Sequence, residues 1–246
     1  MKERMHVEVF QSYEELSRRA ADLVSEVIQQ KPDCVLGLAT GSSPLGLYRE
    51  LIHRYEEGSL DFSKVQSFNL DEYFPIDPSN PQSYRYFMNE NLFRHINIPL
   101  ENTHVPHGND EDIEAVCTAY ENMIQASPGI DIQVLGIGGN GHIAFNEPAD
   151  AFASRTHQVD LEESTIQANA RFFASEDDVP RKAITMGIGT IMKARRILLI
   201  ANGKKKAQAV KACVEGPITP ACPASVLQLH PDVFILADKE AAALLK

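Results

Sequence analysis

At 246 residues and a formal net charge of −11, the chain is long enough to bury a sizeable core. Its acidity argues against nucleic acid or an anionic membrane surface as a partner. No apolar run reaches membrane-spanning length, and Met1-Lys-Glu-Arg-Met-His6 leads into a strand-like segment without the apolar region of a signal peptide, so a cytoplasmic location is expected. Cys34, Cys117, Cys213 and Cys222 are too scattered for the close pairs of metal or redox motifs, which predicts buried, reduced thiols.

Residues 6–10 alternate as a strand does. Ser12-Tyr-Glu-Glu15 is a capping box for a helix reaching about Gln30, where Pro32 and Asp33 end it. A buried strand over 34–39 follows, then Thr40-Gly41-Ser42-Ser43-Pro44 and a helical pattern over 45–55. Hydroxyls and a glycine between strand and helix, with proline near the first helical position, present free N–H groups and the positive end of a helix dipole to an anion. An ordinary N-cap needs one hydroxyl; three of them favour a phosphate.

The next strand, 65–70, ends in Asp71-Glu72-Tyr73-Phe74-Pro75. A carboxylate just past a buried strand is a candidate for proton transfer, although aspartate is equally at home in a turn. A loop rich in Pro and Asn over 75–81 leads to a predicted helix over 84–95 and a short strand at 103–105. An amphipathic helix capped by Asn109 or Asp110 then reaches Ile124.

Segment 131–148 changes character midway. Its first half, 132–137, is the apolar, β-branched run expected of a strand buried on both faces. The second half holds Gly136, Gly138, Gly139 and Gly141, then His142 and Glu147 with Asn140 and Asn146 between them. Glycines let a ligand approach the main chain, and the carboxyl ends of strands are where an open α/β sheet binds ligands. The letters Gly136-x-Gly138-x-x-Gly141 also satisfy the dinucleotide fingerprint, with Asp160 suitably placed, but Asn146 and Pro148 interrupt the helix that fingerprint requires. A glycine turn with a satisfied histidine is the bland alternative.

Residues 154–161 alternate weakly, and 162–173 form a polar, poorly patterned helix. Segment 161–182 is short of apolar residues and is expected to be a mobile lid. The chain closes with a short element at 183–186 and a buried strand over 196–201, which turns at Asn202-Gly203 into a helix opened by Lys204, Lys205 and Lys206. A strand over 233–237 and a short alanine-rich helix complete it. Near-regular alternation of strands and helices predicts one α/β domain over 1–246, a doubly wound, mostly parallel sheet with helices on both faces.

Six segments occur in order: Leu38-Ala-Thr-Gly-Ser-Ser-Pro44, Ser67-Phe-Asn-Leu-Asp-Glu-Tyr73, 136–148, Ser154-Arg-Thr156, Asn169-Ala-Arg-Phe-Phe173 and Leu227-Gln-Leu-His-Pro231. Through them the chain resembles the glucosamine-6-phosphate deaminase family almost end to end. The resemblance implies a Rossmann-like sheet of the sugar-phosphate isomerase type, no cofactor and no metal. It also implies conversion of glucosamine 6-phosphate and water to fructose 6-phosphate and ammonium, in amino-sugar catabolism. Phosphogluconolactonases and the sugar-phosphate-sensing domains of some regulators share the architecture. Asn146-Glu147-Pro148 after the histidine is the deaminase form, and the sequence has no DNA-binding segment of the kind a sensor is expected to carry.

By motif match, the resemblance assigns ring opening to His142, oriented by Asn140 and Glu147, and the C2 proton to Asp71. It places the substrate over Thr40, Gly41, Ser42, Ser43, Gly136 and Gly138, with Arg171 and Lys206 as counter-charges to the phosphate. Lys204 and Lys205 compete with Lys206 for that role. Asn140 stands where similar sequences carry Asp or Asn, and an Asn there can still hold the ring by a hydrogen bond. Glu72 and His230 are read as structural. The expected partner is a small sugar phosphate, and the expected state a monomer or small homo-oligomer. Some family members are hexamers activated by N-acetylglucosamine 6-phosphate through an Arg and a Lys two residues apart after the Ser-Arg-Thr segment. Here His157 and Val159 stand there, followed by Asp160, so no effector activation is expected.

Overall fold

The computed structural model describes residues 5–110, 112–161, 166–167, 175 and 179–246. Strand β1 (Met5–Phe10) leads into α1 (Tyr13–Gln30). Ser12 Oγ accepts the Glu15 N–H at 3.2 Å, whereas the Glu15 carboxylate reaches back to the N–H of Gln11 rather than that of Ser12. Leu16, Ala20, Leu23, Val24 and Ile28 give α1 a buried stripe at helical period. Strand β2 (Val35–Leu38), buried at every position, is followed by α2 (Leu45–Glu56), β3 (Gln66–Asn69), β4 (Asp71–Phe74), α3 (Tyr84–Asn91), β5 (Thr103–His104) and α4 (Ile113–Ala126). The second half contains β6 (Ile132–Leu135), β7 (His157–Asp160), β8 (Lys182–Thr185), α5 (Ile188–Ile191), β9 (Arg196–Ala201), α6 (Ala207–Glu215) and β10 (Val233–Asp238).

Seven strands form one sheet in the order β1-β10-β9-β6-β2-β3-β5, and every pair in it is parallel. From β2 the chain winds outward through β3 to β5, then returns to β6 and winds the other way through β9 to β10. The direction of winding therefore reverses between β2 and β6, and the crevice at their carboxyl ends is where such sheets take ligands. Gly37 of β2 sits opposite Gln133 of β6, where a Cβ would stand 2.1 Å from Gln133 Oε1, so only glycine lets that side chain cross.

The sequence did not anticipate a second sheet. Residues 71–74, expected as a loop past the strand, form β4, which pairs antiparallel with β8, and β8 pairs antiparallel with β7. A separate apolar cluster packs here, built from Tyr73, Ile76, Phe145, Leu161, Ile166, Val179 and Ala183. The segment expected as a lid, 161–182, falls largely outside the described residues.

Three other expectations are corrected. The helix predicted over 84–95 stops at Asn91, and Phe93–His95 make a separate 3-10 turn. The cap of α4 is Asp112, whose carboxylate accepts the Ala115 N–H at 3.1 Å, rather than Asn109 or Asp110. The alanine-rich C-terminus makes turns instead of a helix, although Asp238 takes the Ala241 N–H at 2.7 Å as a helix cap would. No helix among the described residues is long and apolar enough to cross a membrane.

Candidate active site

The loop after β6 builds the first cluster. Gly141, at φ 87°, turns the chain so that the Gly138 N–H donates to the His142 carbonyl at 2.9 Å. A Cβ on Gly138 would stand 2.3 to 2.5 Å from three imidazole atoms, so the His142 ring lies against bare backbone. His142 Nδ1 is 3.2 Å from both carboxylate oxygens of Glu147. A carboxylate facing Nδ1 holds the proton there and leaves Nε2 as the free base of the neutral ring. Asn140 Nδ2 donates to Glu147 at 2.6 Å, and its Oδ1 accepts the His142 backbone N–H at 3.2 Å. Asn140 thus orients the imidazole through Glu147 and the backbone rather than by the direct hydrogen bond expected from sequence.

Between these residues Ala144 adopts φ 53°. This left-handed conformation costs a residue with a Cβ about 1 kcal/mol. It is held by Asn146, whose Nδ2 donates to the carbonyls of Ile143 (3.1 Å) and Met186 (2.9 Å).

Asp71 opens β4 and stands opposite Thr185 of β8. Thr185 Oγ1 in turn accepts the N–H of Phe145 at 3.1 Å, which ties the strand of Asp71 to the loop of His142. Asp71 is 7 % exposed and its carboxyl makes no side-chain hydrogen bond among the described residues. Burial, then the neighbouring Glu72 charge, push it up to about 8.

The turn after β2 forms the second cluster. The N-cap of α2 is Pro44, with no side-chain cap, so none of the three hydroxyls of Thr40, Ser42 and Ser43 serves the bland capping role. Gly41 has φ 88°. Tyr13 of α1 braces the turn: its hydroxyl accepts the Gly46 N–H at 2.7 Å and faces the Ser43 and Ser42 carbonyls at 2.8 and 3.0 Å. Ser43 lies against Gly136, 3.8 Å from where a Cβ would be, and its Oγ is 3.5 Å from Asn202 Oδ1.

Asn202 and Gly203 (φ 86°) turn the chain after β9 into a 3-10 turn, Lys204–Lys206. Lys206 is half-buried with its ammonium pushed down by desolvation, and it has no acidic partner among the described residues; Lys204 and Lys205 are exposed. Loops from β2, β3, β6 and β9 therefore meet at one end of the sheet. Arg171 lies outside the described residues. His230, read as structural, is buried between the Ala194 carbonyl at 2.7 Å and the Asp232 N–H at 3.1 Å.

Residues 10–235 match the sequence profile of the glucosamine-6-phosphate isomerases/6-phosphogluconolactonase family. The chain belongs to the glucosamine-6-phosphate isomerase/6-phosphogluconolactonase family. A glucosamine-6-phosphate deaminase of Thermoanaerobacter pseudethanolicus is 56 % identical over 241 residues, covering 98 % of this chain and 95 % of its own. One of Clostridium perfringens is 57 % identical over 242 residues, covering 98 % and 100 %. Among solved structures, a monomeric glucosamine-6-phosphate deaminase matches with a TM-score of 0.95 at 50 % identity, over 98 % of this chain and 100 % of that one. A 6-phosphogluconolactonase from Trypanosoma brucei matches at TM-score 0.77 and 20 % identity, covering 98 % of each chain, and shares the fold.

Within this glucosamine-6-phosphate isomerase/6-phosphogluconolactonase fold, sequence reasoning missed Thr185, Tyr13 and the strand β4. Each matters through a partner many residues away, and none has a local pattern that marks it.

Proposed function

We propose that the chain is a cofactor-independent glucosamine-6-phosphate deaminase, converting glucosamine 6-phosphate and water to fructose 6-phosphate and ammonium. The reading is carried by two proton-transfer groups of different kind, the His142–Glu147 pair and the buried Asp71, joined through Thr185 beside a hydroxyl-lined turn. Relatives above 50 % identity that bear this activity by name support it.

Opening the pyranose requires a proton to leave the C1 hydroxyl and one to arrive on the ring oxygen. His142 does both through Nε2, its Nδ1 proton held by Glu147. Asp71 then takes the proton from C2 of the open aldehyde while O1 gains a proton, giving an enolamine, and returns its proton to C1 as the nitrogen gives one up, which leaves an imine at C2 and a hydroxyl at C1. Water adds to the imine carbon and ammonia departs, giving the ketone. A carboxylate deprived of water and hydrogen bonds is a stronger base toward C–H than a solvated one, which is what burial does for Asp71.

The phosphate is placed over Thr40, Gly41, Ser42 and Ser43, with Lys206 and Arg171 as counter-charges. Partial burial without an acidic partner favours Lys206 over its two exposed neighbours. A monomer is the inferred state, supported by the 50 % identical relative described as monomeric; light scattering during size exclusion tests it. A cytoplasmic location fits a phosphorylated metabolic substrate.

Incubating the purified protein with glucosamine 6-phosphate should release ammonium and fructose 6-phosphate in equal amounts. Hydrolysis of 6-phosphogluconolactone without ammonium release would replace this reading by the lactonase one.

A further inference from the structure

The reaction as written does not use Glu72, a second buried carboxyl directly beside Asp71. Glu72 is 1 % exposed. It accepts the backbone N–H groups of Tyr73 at 2.9 Å, Tyr84 at 2.8 Å and Arg85 at 3.0 Å. Tyr84 and Arg85 open α3, whose own cap, Ser83, is already bonded to the Tyr86 N–H at 3.0 Å. A side chain from β4 thus satisfies two further donors of the first turn of α3, at the positive end of that helix.

These contacts have a mechanical and an electrostatic consequence. They fasten β4 to α3, and Tyr84 of α3 lies parallel to the Phe145 ring, with 6.1 Å between centroids. Phe145 sits in the loop that carries His142 and Glu147. Desolvation pushes Glu72 up to about 7, and three N–H donors and the Arg85 guanidinium offset part of that, favouring its charged form. The other groups acting on Asp71 are tyrosines. Tyr73 is pushed up to about 12, and Tyr84 of α3 and Tyr120 of α4 are raised well above their usual range by burial, so all three stay neutral. Arg85 is held by Thr103, through Oγ1 and the carbonyl, both at 2.8 Å. Among the described residues, Glu72 is therefore the carboxylate whose charge acts on Asp71.

We propose that Glu72 is a positioning residue for the Asp71 base: it locks β4 onto α3 and, once ionised, sets a negative charge beside Asp71, fixing its place and acting on its field. The assignment rests on the reading of Asp71 as the group that moves the C2 proton. Opposition between adjacent carboxylates keeps the proton on Asp71 to higher pH and makes the ionised form a stronger base.

The test is the pH profile of kcat/KM for Glu72→Gln and Glu72→Asp. Glu72→Gln keeps the shape but removes the charge, so the acid limb should move to lower pH by on the order of one unit, with KM little changed. Glu72→Asp keeps the charge but falls short of the helix, so the limb should stay near its wild-type position while kcat drops. A Glu72→Gln limb that coincides with wild type overturns the proposal. Should Glu72→Gln not fold, carboxyl-carbon NMR titration of the wild-type chain decides: Asp71 titrating after Glu72 and well above the ordinary carboxylate range supports it, and Asp71 titrating near about 4 overturns it. Ammonium release by wild type and its loss in Asp71→Asn test the underlying reading separately, so with those in place an unmoved limb removes the role of Glu72 alone.

Discussion

Thr185 Oγ1 accepts the Phe145 N–H at 3.1 Å while standing opposite Asp71 in the β4–β8 ladder. In the large sheet the strands preceding Asp71 and His142, β3 and β6, are separated by β2, so they do not touch. The small antiparallel sheet bridges them, and the Thr185 hydroxyl is one of the contacts that make the join, beside the Asn146–Met186 hydrogen bond.

Thr185→Val should show this. The change is nearly isosteric but leaves the buried Phe145 N–H without its acceptor, at a cost of about 1–3 kcal/mol in stability. Turnover should fall by roughly tenfold with KM unchanged, since the two proton-transfer groups lose their register while the phosphate turn is untouched. Denaturant melts and steady-state kinetics read both; undiminished turnover in a destabilised variant would show that the join is structural alone.

Asp71→Asn should lower turnover by a factor on the order of 10² or more while leaving sugar-phosphate binding nearly intact, because the amide keeps the shape but cannot accept the C2 proton. Its stability should move the other way. Burial pushes Asp71 up to about 8 in the folded chain, above its unfolded value, so the folded state binds the proton more tightly. The stabilisation this gives is fully present below the unfolded value and is lost as pH rises through about 8. Thermal melts should therefore show the Asn variant gaining on wild type between pH 6 and pH 9. A gap that does not widen with pH would mean that Asp71 ionises freely.

The large sheet was legible because β2, β6 and β9 are almost wholly buried and read as largely apolar runs, broken only by Gln133 and the leading Arg196. The glycine loop and the Thr40–Ser43 turn announced themselves through residue types with special backbone use. Strand β4 did not, since its partners β8 and β7 lie roughly a hundred residues further on and non-local pairing leaves no local pattern. Ala144 gave no sign of its positive φ, a position where glycine or asparagine would have been the signal. Asp112 was passed over for two neighbours of equal capping propensity. The alanine content of the C-terminus points to a helix, where the chain makes turns instead.

Asn140 reaches the imidazole through Glu147 as well as through the His142 backbone N–H, so their effects should be less than additive. Glu147→Gln should cost more turnover than Asn140→Ala, and Asn140→Ala should cost less in the Glu147→Gln background than in wild type. A double-mutant cycle on kcat measures it. Additive losses would mean that Asn140 acts on substrate or ring by a route of its own.

Lys206→Ala should weaken substrate binding and competition by inorganic phosphate together, by roughly 1.5–3 kcal/mol as for a charge-assisted hydrogen bond. Lys204→Ala and Lys205→Ala should change little, since both side chains are exposed. Arg171→Ala is expected to act in the same direction as Lys206→Ala. If unphosphorylated glucosamine were turned over as well as its phosphate, the anion site would lie elsewhere.

The last prediction concerns regulation by N-acetylglucosamine 6-phosphate. His157, Val159 and Asp160 line a cleft of about 240 Å³ with Glu147, Pro148 and Phe152, among other residues, and none of the described residues lining it is a lysine or arginine. His157 Nδ1 is engaged by the Arg155 carbonyl at 2.8 Å, and the Asp160 carboxylate has Lys182 no nearer than 3.9 Å. A phosphate dianion entering this cleft would meet the carboxylates of Asp160 and Glu147. Like charges about 4 Å apart repel by about 1 kcal/mol even in bulk water, and by more where water is excluded. An effector that gains nothing from one state over another cannot shift an equilibrium between them. Steady-state curves should therefore be hyperbolic in glucosamine 6-phosphate, and millimolar-order N-acetylglucosamine 6-phosphate should act only as a weak competitor at the active site. Curves recorded with and without the compound decide the matter: a sigmoidal curve that becomes hyperbolic on its addition would require an effector site that this cleft lacks the charge to form.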